Sequence, residues 1–462
     1  MKKLSASRID FFKKTLLIAL PIMVQNGITN FVSMLDNIMV GRVGTDAMSG
    51  VAIVNQLLFV FNLCVFGGLS GIGIFTAQYY GKGDDDGVRH TFRLQLLLAV
   101  LLTILGFLIF VVKGDTLIGL FLTGTGGTVD AGLTRSHANR YLEVMLLQLL
   151  PFAITQAYAS TLRGTGETVL PMQASLVAVV VNLIGNYVLI YGKFGAPALG
   201  AVGAAVATTA SRFVELLYLT VRTHLQSKKY RFIHGAYRNF FDIPPSLIVD
   251  AVKKGTPLLM NEALWSGGMT TLSQTYSIRS LEVVAAVNIS STISNVFNIA
   301  FIAMGSAIAI IIGQELGSGN TTGVKKDAQS LAWFSVVLCV ISGALLFLVS
   351  GLFPQIYNTS PEIRHIATGL IRISAVFMPM YAFENACYFT IRSGGKTLIT
   401  FVFDSLFLWI ASIPLANILV RFTGMPILPL YACVQAIELI KCLIGHILVK
   451  RGIWIHDLTN QS

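Results

Sequence analysis

The stretch AQYYGKGD at 77–84 recurs in the second half of the chain as GQELGSGN at 313–320. The same shift along the chain places Pro21 on Pro257. A repeat of this size predicts a molecule built from two similar halves, each of them a set of packed elements.

A second pair of matching segments follows with a smaller shift. RGTGET at 163–168 corresponds to RSGGKT at 392–397. The first half therefore carries a longer connection, which we place in the Gly-rich region 113–139.

The composition indicates a membrane protein whose partner is the lipid bilayer. Of 462 residues, 54% are hydrophobic and 12% are charged, and the mean hydropathy is +0.72. Soluble chains carry about 25% charged residues. The net charge of +11 does not point to nucleic acid, because the basic residues lie between apolar runs. The five cysteines are scattered without CxxC spacing, so we expect no metal centre and no disulfide framework.

Twelve mainly apolar segments have the length of about 20 residues that crosses the hydrocarbon core. Runs this long and continuous predict helices, because barrel strands are shorter and alternate. The fold class is therefore an all-α polytopic membrane protein. The predicted spans are 15–38, 48–79, 91–112, 141–162, 169–191, 197–221, 254–277, 284–314, 328–353, 366–391, 398–420 and 427–449.

The polar stretch between the sixth and seventh spans divides them into two sets. We expect an N-terminal six-helix lobe at 1–222, a cytoplasmic linker at 223–253 and a C-terminal six-helix lobe at 254–462. Six spans per half give both halves the same topology, so the lobes are expected to be related by a pseudo-two-fold axis along the membrane normal. Lys and Arg in the short loops accumulate on the side of the basic N-terminus, which predicts a plasma-membrane protein with both termini in the cytoplasm.

Four segments of the first half carry a family resemblance. They are MLDNIMVGRVGTDAMSGVA at 34–52, LRGTGETVLPM at 162–172, NLIGNYVLIYG at 182–192 and LGAVGAAVATTASR at 199–212. In this order, and with a repeat in the second half, they resemble the multidrug and toxic compound extrusion (MATE) family. The resemblance implies a V-shaped pair of lobes around a central cavity, alternating access, and export of organic, often cationic or amphiphilic, compounds in exchange for H+ or Na+. We expect a monomer.

A charged side chain inside a span costs at least about 2.5 kcal/mol, so each one suggests a function. Asp36 lies late in the first span, and Asn182 and Asn186 lie four residues apart on one face of the fifth. With the hydroxyl of Thr208, they offer oxygen ligands for Na+, or a carboxyl that takes up a proton. The resemblance matches these positions to the first lobe's cation site, where some members have Asp in place of Asn186.

Simpler roles exist for the same residues. Asn182 and Asn186 could hydrogen-bond to neighbouring helices, as polar residues in bundles commonly do. Asp36 could reach the aqueous interface beside Arg42. Thr208 is a weaker candidate, since its neighbour Thr209 is just as plausible. The ordinary role of either hydroxyl is a hydrogen bond back to its own helix.

The second half offers three further acidic candidates. Glu262, early in the seventh span, resembles the acidic residue that the NorM-like branch of the family uses in its second lobe. That branch also carries an Asp in the tenth span, whereas this chain has Glu384 about one turn later. Asp404 ranks last, because Arg392 or Lys396 could pair with it. For Glu262 the structural alternative is an ion pair with a lysine near the start of its span.

Other functions fit the sequence less well. No GxSxG, HExxH or paired-carboxylate motif appears, so we expect no enzyme, no catalytic residue and no cofactor. A flippase for lipids or lipid-linked saccharides, with a related two-lobe fold, is the main alternative. Its cavity would be more basic, whereas the conspicuous groups within the spans here are acidic. The sequence therefore favours a cation-coupled antiporter.

Overall fold

The computed structural model describes residues 2–122 and 130–460, and all regular elements in these ranges are helical. The connection predicted at 113–139 therefore lies in part, at 123–129, outside the described residues. The helices are α1 (Lys2–Gly41), α2 (Thr45–Lys82), α3 (Asp85–Phe121), α4 (Ala131–Met145), α5 (Leu149–Gly164), α6 (Val169–Tyr191), α7 (Ala201–Leu225), α8 (Pro245–Ser277), α9 (Leu281–Gly317), α10 (Val324–Val349), α11 (Pro361–Ser393), α12 (Thr397–Phe401), α13 (Ile413–Phe422), α14 (Ile427–Ala436) and α15 (Glu438–Arg451).

Three of the spans each contain two α-helices. They are Ala131–Gly164, from α4 and α5, Thr397–Phe422, from α12 and α13, and Ile427–Arg451, from α14 and α15. The described residues form eleven helical spans that are long and apolar enough to cross a membrane. The remaining long helix, α8, includes charged residues and completes the set of twelve. The prediction of an all-α polytopic protein with twelve spans is confirmed.

Prolines do not end the helices that contain them. α1 continues through Pro21, α8 through Pro257 and α11 through Pro379. The larger irregularity lies in the eleventh span, where Val402–Leu406 and Leu408–Ser412 are π-helical. Such turns widen the helix and often accompany functional sites, and Asp404 lies in the first of them.

The chain forms two compact units. The N-terminal unit comprises Val24–Thr76 and Asp85–Val249, and the C-terminal unit comprises Met1–Met23, Ala77–Asp84 and Asp250–Ser462. Two pieces of the first half of the sequence, the start of α1 and the end of α2, thus pack within the C-terminal unit.

In the C-terminal unit, the two copies of the repeated motif lie directly against each other. A methyl group added at Gly81 would lie 2.0 Å from the carbonyl oxygen of Gln314, and one added at Gly317 would lie 1.8 Å from that of Gln78. Only residues without a side chain allow backbones to approach so closely. The motif found in the sequence is therefore the crossing point of α2 and α9.

A segment after α15 is also part of this core. Trp454 is fully buried, and its indole donates to the carbonyl of Val449 (3.1 Å). The Gln78 side chain accepts from the backbone N–H of Leu458 (2.7 Å), and Lys82 Nζ donates to the carbonyl of Thr459 (3.1 Å). The residues following the last span therefore anchor the end of α2.

In the N-terminal unit, one buried arginine holds the segment between α7 and α8. Arg93 is 5% exposed, and its guanidinium donates to the carbonyls of Ala236 (2.8 Å), Asp242 (2.9 Å), Gly235 (2.9 Å) and Arg238 (2.6 Å). A guanidinium fits several acceptors at once because its donors form a rigid fork. This part of the predicted linker is thus a fixed element.

A carboxylate ties the start of the same segment to α6. Glu167 accepts from Lys229, from the Tyr230 hydroxyl (3.0 Å) and from the backbone N–H of Leu170 (3.2 Å). Burial raises the pKa of this carboxyl, but the three hydrogen bonds outweigh burial and hold the pKa of Glu167 below its usual value. The negative charge also lies at the N-terminus of α6, where the helix dipole favours it.

Candidate cation-coupling sites

The structure brings Asp36 of α1 and Asn186 of α6 together in the N-terminal unit. The Asn186 amide donates to Asp36 Oδ1 at 2.6 Å. Asn186 is fully buried, while Asp36 is partly buried. The carboxylate therefore points toward the neighbouring helix α6. Among the described residues, Asp36 makes no contact with Arg42.

Asn182, one turn earlier on α6, joins the same cluster. In the orientation that satisfies both ends of its amide, the nitrogen donates to Asp36 Oδ1 (3.0 Å) and the oxygen accepts from the Thr208 hydroxyl (3.1 Å). The neighbouring Thr209 instead donates to the carbonyl of Val144 (3.3 Å). Of the two threonines, Thr208 is the one placed beside the amides.

This N-terminal cluster, defined as Asp36, Asn182, Asn186 and Thr208, contains one formal charge. Within the described chain, no lysine or arginine forms an ion pair with Asp36, and its hydrogen bonds come from neutral amides. The Asn186 Oδ1 atom is buried without a hydrogen-bond partner. A buried carbonyl oxygen usually finds a partner, so the cluster has an unused oxygen next to an unneutralised carboxylate.

A second buried polar network in the N-terminal unit was not predicted from the sequence. Glu215 on α7 is 3% exposed, pairs with Arg212 (2.8 Å) and accepts from Ser175 (2.7 Å). Gln25 donates to that serine (2.7 Å) and accepts from Arg163 (3.0 Å). The three-residue spacing of Arg212 and Glu215 was the available sequence signal. Only Arg212 and Glu215 form an ion pair in this network, while Arg163 donates to the neutral Gln25; together these contacts link α1, α5, α6 and α7.

In the C-terminal unit, three carboxylates surround one lysine. Lys441 on α15 is 5% exposed and contacts Glu384, Asp404 (3.0 Å) and Glu438 (3.5 Å). Ser412 donates to the second oxygen of Glu438 (2.7 Å). The expected partners of Asp404, Arg392 and Lys396, were therefore wrong, because the eleventh span presents this side chain to α15.

Asp404 is also held from α8. The Asn261 amide donates to Asp404 Oδ2 (3.0 Å), and its oxygen accepts from the Ser405 hydroxyl (2.7 Å). Glu262, the next residue, interacts electrostatically with Arg392 and Asp404 but forms no ion pair with any described residue. The predicted acids thus separate into Glu384 and Asp404, which share Lys441, and Glu262, which does not.

Long apolar helices with polar clusters buried inside each unit define a polytopic membrane protein of the transporter type. The MatE family model matches residues 21–188 and 257–422, so the chain belongs to the MatE family. The two matched segments begin at Pro21 and Pro257, the pair that the internal repeat equates. The family resemblance read from the sequence is confirmed.

Similar proteins cover nearly the whole chain. It is 26% identical to a probable multidrug resistance protein NorM from Thermotoga maritima over 89% of this chain and 86% of that protein. It is 22% identical to the multidrug resistance protein MdtK from Pectobacterium atrosepticum over 87% and 86%. A solved structure described as an outward-facing multidrug resistance MATE family transporter of the MOP superfamily has a TM-score of 0.83 and 17% identity, covering 95% of this chain and 96% of that one. The last match supports the fold alone.

Proposed function

We propose that this protein exports organic compounds, cationic or amphiphilic in character, by alternating access in exchange for protons or sodium ions. Its similarity to multidrug resistance proteins supports export of small molecules. The observation that carries the cation coupling is Asp36, a partly buried carboxylate with amide donors and no ion-pair partner among the described residues. Among the described residues, a cation that enters the N-terminal cluster would be the first positive group in direct contact with Asp36.

The chemistry of the N-terminal cluster suits either ion. Na+ would take the Asp36 carboxylate, the free Asn186 oxygen and, after rotation of its amide, the Asn182 oxygen, with Thr208 as a further oxygen ligand. A proton would bind Asp36 itself, leaving the amides as neutral partners. In either case the occupied and empty clusters differ in charge, so occupancy can favour one conformation over the other.

The acids of the C-terminal unit are weaker candidates for cation coupling than Asp36. Lys441 already neutralises part of the charge on Glu384 and Asp404, so a mobile cation gains less there than at Asp36. Glu262 stays a candidate coupling residue, because it forms no ion pair with a described side chain. We therefore propose that Asp36 dominates coupling and that Glu262 is the second candidate.

Transport in proteoliposomes tests the proposal. Efflux of a fluorescent dye cation would be followed under a clamped proton gradient and, separately, a clamped sodium gradient. Asp36→Asn should abolish the gradient-driven component, whereas Glu362→Gln, which neutralises an exposed carboxylate at the start of α11, should transport like the wild type. Retention of gradient-driven transport by both Asp36→Asn and Glu262→Gln would refute the coupling sites.

The protein's placement completes the proposal. We place it in the cell membrane with both termini in the cytoplasm, because Lys and Arg in short loops favour that side. The lobes at 1–222 and 254–462, joined by a cytoplasmic linker at 223–253, and the monomeric state belong to the same proposal. Protease accessibility of terminal tags in sealed, right-side-out vesicles checks the orientation.

A further inference from the structure

Two polar layers follow each other along α6 and α7 inside the N-terminal unit. Ser175 precedes Asn182 by seven residues on α6, and Glu215 follows Thr208 by seven residues on α7. Residues seven apart lie on one helix face, about 10 Å apart along the axis. Ser175 bonds to Glu215 (2.7 Å) and Asn182 to Thr208 (3.1 Å), so the same two helix faces meet in both layers.

Arg212 lies between the two layers. It follows Thr208 by four residues and therefore shares its face of α7. Its guanidinium contacts Glu215 (2.8 Å) and lies over the Phe152 ring (5.4 Å), while its Nε atom is buried without a hydrogen-bond partner. The guanidinium also interacts electrostatically with Asp36. Arg212 thus connects the carboxylate of one layer with the carboxylate of the other.

The charges of the two layers balance only when the layers are taken together. The second layer contains the guanidinium groups of Arg163 and Arg212 and a single carboxylate, Glu215, which interacts with both. Its surplus positive charge matches the negative charge of Asp36. From neighbouring helices, Arg212 of α7 and Tyr141 of α4 interact with Asp36, and a tyrosine hydroxyl is neutral at physiological pH. Arg212 is therefore a counter-charge of Asp36 that does not touch it.

We propose that Arg212 sets the affinity of Asp36 for its coupling cation, and that Glu215 limits this effect by neutralising part of the guanidinium charge. This inference rests on the coupling role of Asp36 proposed above. A positive charge near a carboxylate stabilises the anionic form, so it opposes the binding of a proton or Na+. Exchange requires that the cation leaves again in every cycle, and Arg212 promotes this release. Arg212 acts through Asp36 and is a positioning residue.

Infrared titration of the purified full chain in detergent tests the inference without transport. The carboxyl band that is missing in Asp36→Asn reports the protonation of Asp36 as the pH is varied. Arg212→Gln should move the midpoint of this band to higher pH by at least about half a unit, because it removes the opposing charge. Glu215→Gln should move the midpoint to lower pH, because the Arg212 charge is then no longer neutralised. A general loss of packing would not give shifts of opposite sign.

An exposed ion pair of the same unit supplies matched controls. Arg135 and Asp115 contact each other with both side chains exposed, so Arg135→Gln and Asp115→Asn should leave the midpoint unchanged. Arg212→Lys keeps the charge and should stay close to the wild type. If Arg212→Gln fails to fold, the double change with Glu215→Gln removes both charges. It should still raise the midpoint, since Glu215 lies farther along α7 from the N-terminal cluster.

Three results would overturn the inference: an Asp36 band that does not titrate, an unchanged midpoint in Arg212→Gln, or shifts of the same sign in Arg212→Gln and Glu215→Gln. The proposed function is judged separately, by the loss of gradient-driven dye transport in Asp36→Asn. Because the infrared midpoints require no transport, failure of the coupling role and failure of the role of Arg212 are distinguishable.

Discussion

Replacing Lys441 by methionine should strongly destabilise the C-terminal unit. The lysine is 5% exposed and is the shared partner of Glu384, Asp404 and Glu438. Methionine keeps much of the side-chain volume but leaves three carboxylates, each only 13–20% exposed, together without a cation. Breaking a buried ion pair by removing one partner costs about 3–5 kcal/mol, and we expect Lys441→Met to lower the free energy of unfolding by this amount.

A second change should recover part of the loss, because the cost comes from the uncompensated charge. Adding Glu384→Gln to Lys441→Met removes one of the stranded carboxylates and should restore at least about 1 kcal/mol, as contacting residues couple by this much. Unfolding would be followed by far-ultraviolet circular dichroism in mixed micelles of increasing sodium dodecyl sulfate. A wild-type midpoint for Lys441→Met, or a double variant no more stable than the single one, would show that the lysine does not neutralise this cluster.

Three further outcomes follow from other contacts. Gly317→Ala should lower the free energy of unfolding by about 3 kcal/mol in the same assay, since its methyl would lie 1.8 Å from the Gln78 carbonyl oxygen. Gly351→Ala, where a methyl meets open space, should leave the stability unchanged. Equal effects of the two changes would contradict the close approach of α2 and α9. Because the pKa of Glu167 is lowered in the folded protein, its contribution to stability is present at neutral pH and is lost as the pH falls through that pKa. The stability difference between the wild type and Glu167→Gln should therefore shrink below about pH 4. A difference that does not depend on pH would argue against the charged pair of Glu167 and Lys229. Arg93→Ala removes the donors that hold four backbone carbonyls, so trypsin should cut the segment after α7 faster than in the wild type, and unchanged cleavage would mean that other contacts fix it.

The positions of the spans could be read from the sequence because lipid demands long, continuous apolar helices. The ends of the helices were predicted less accurately. α3 runs from Asp85 to Phe121, whereas the predicted span was 91–112. Polar residues continue a helix beyond the hydrocarbon core without leaving a hydropathy signal.

The N-terminal cluster was predicted better than the C-terminal one. Asn182 and Asn186 share a face by their spacing alone, and Asp36 was selected because it is a charged side chain inside the first span. The role of these residues in coupling stays a prediction. Lys441 was not among the predicted site residues, since its contact with Glu384 and Asp404 depends on how three helices pack.

The attachment of the segment after α7 could not be predicted, because it has no signature in the amino-acid sequence. Arg93 binds backbone carbonyls, which every residue carries, so no particular side chains are required on the other side of the contact. The lysine cluster did leave one local signal, because Glu438 and Lys441 are three residues apart and face the same side of α15.

The burial of Trp454 has a consequence for biosynthesis. Residues 454–459 are translated after all twelve spans, yet they complete a core that also contains Ala77–Asp84, made much earlier. The C-terminal unit therefore lacks these contacts until Thr459 has been synthesised. A nascent chain that stops before Trp454 would present an open apolar pocket and a loose end of α2, which are the features that chaperones and proteases recognise.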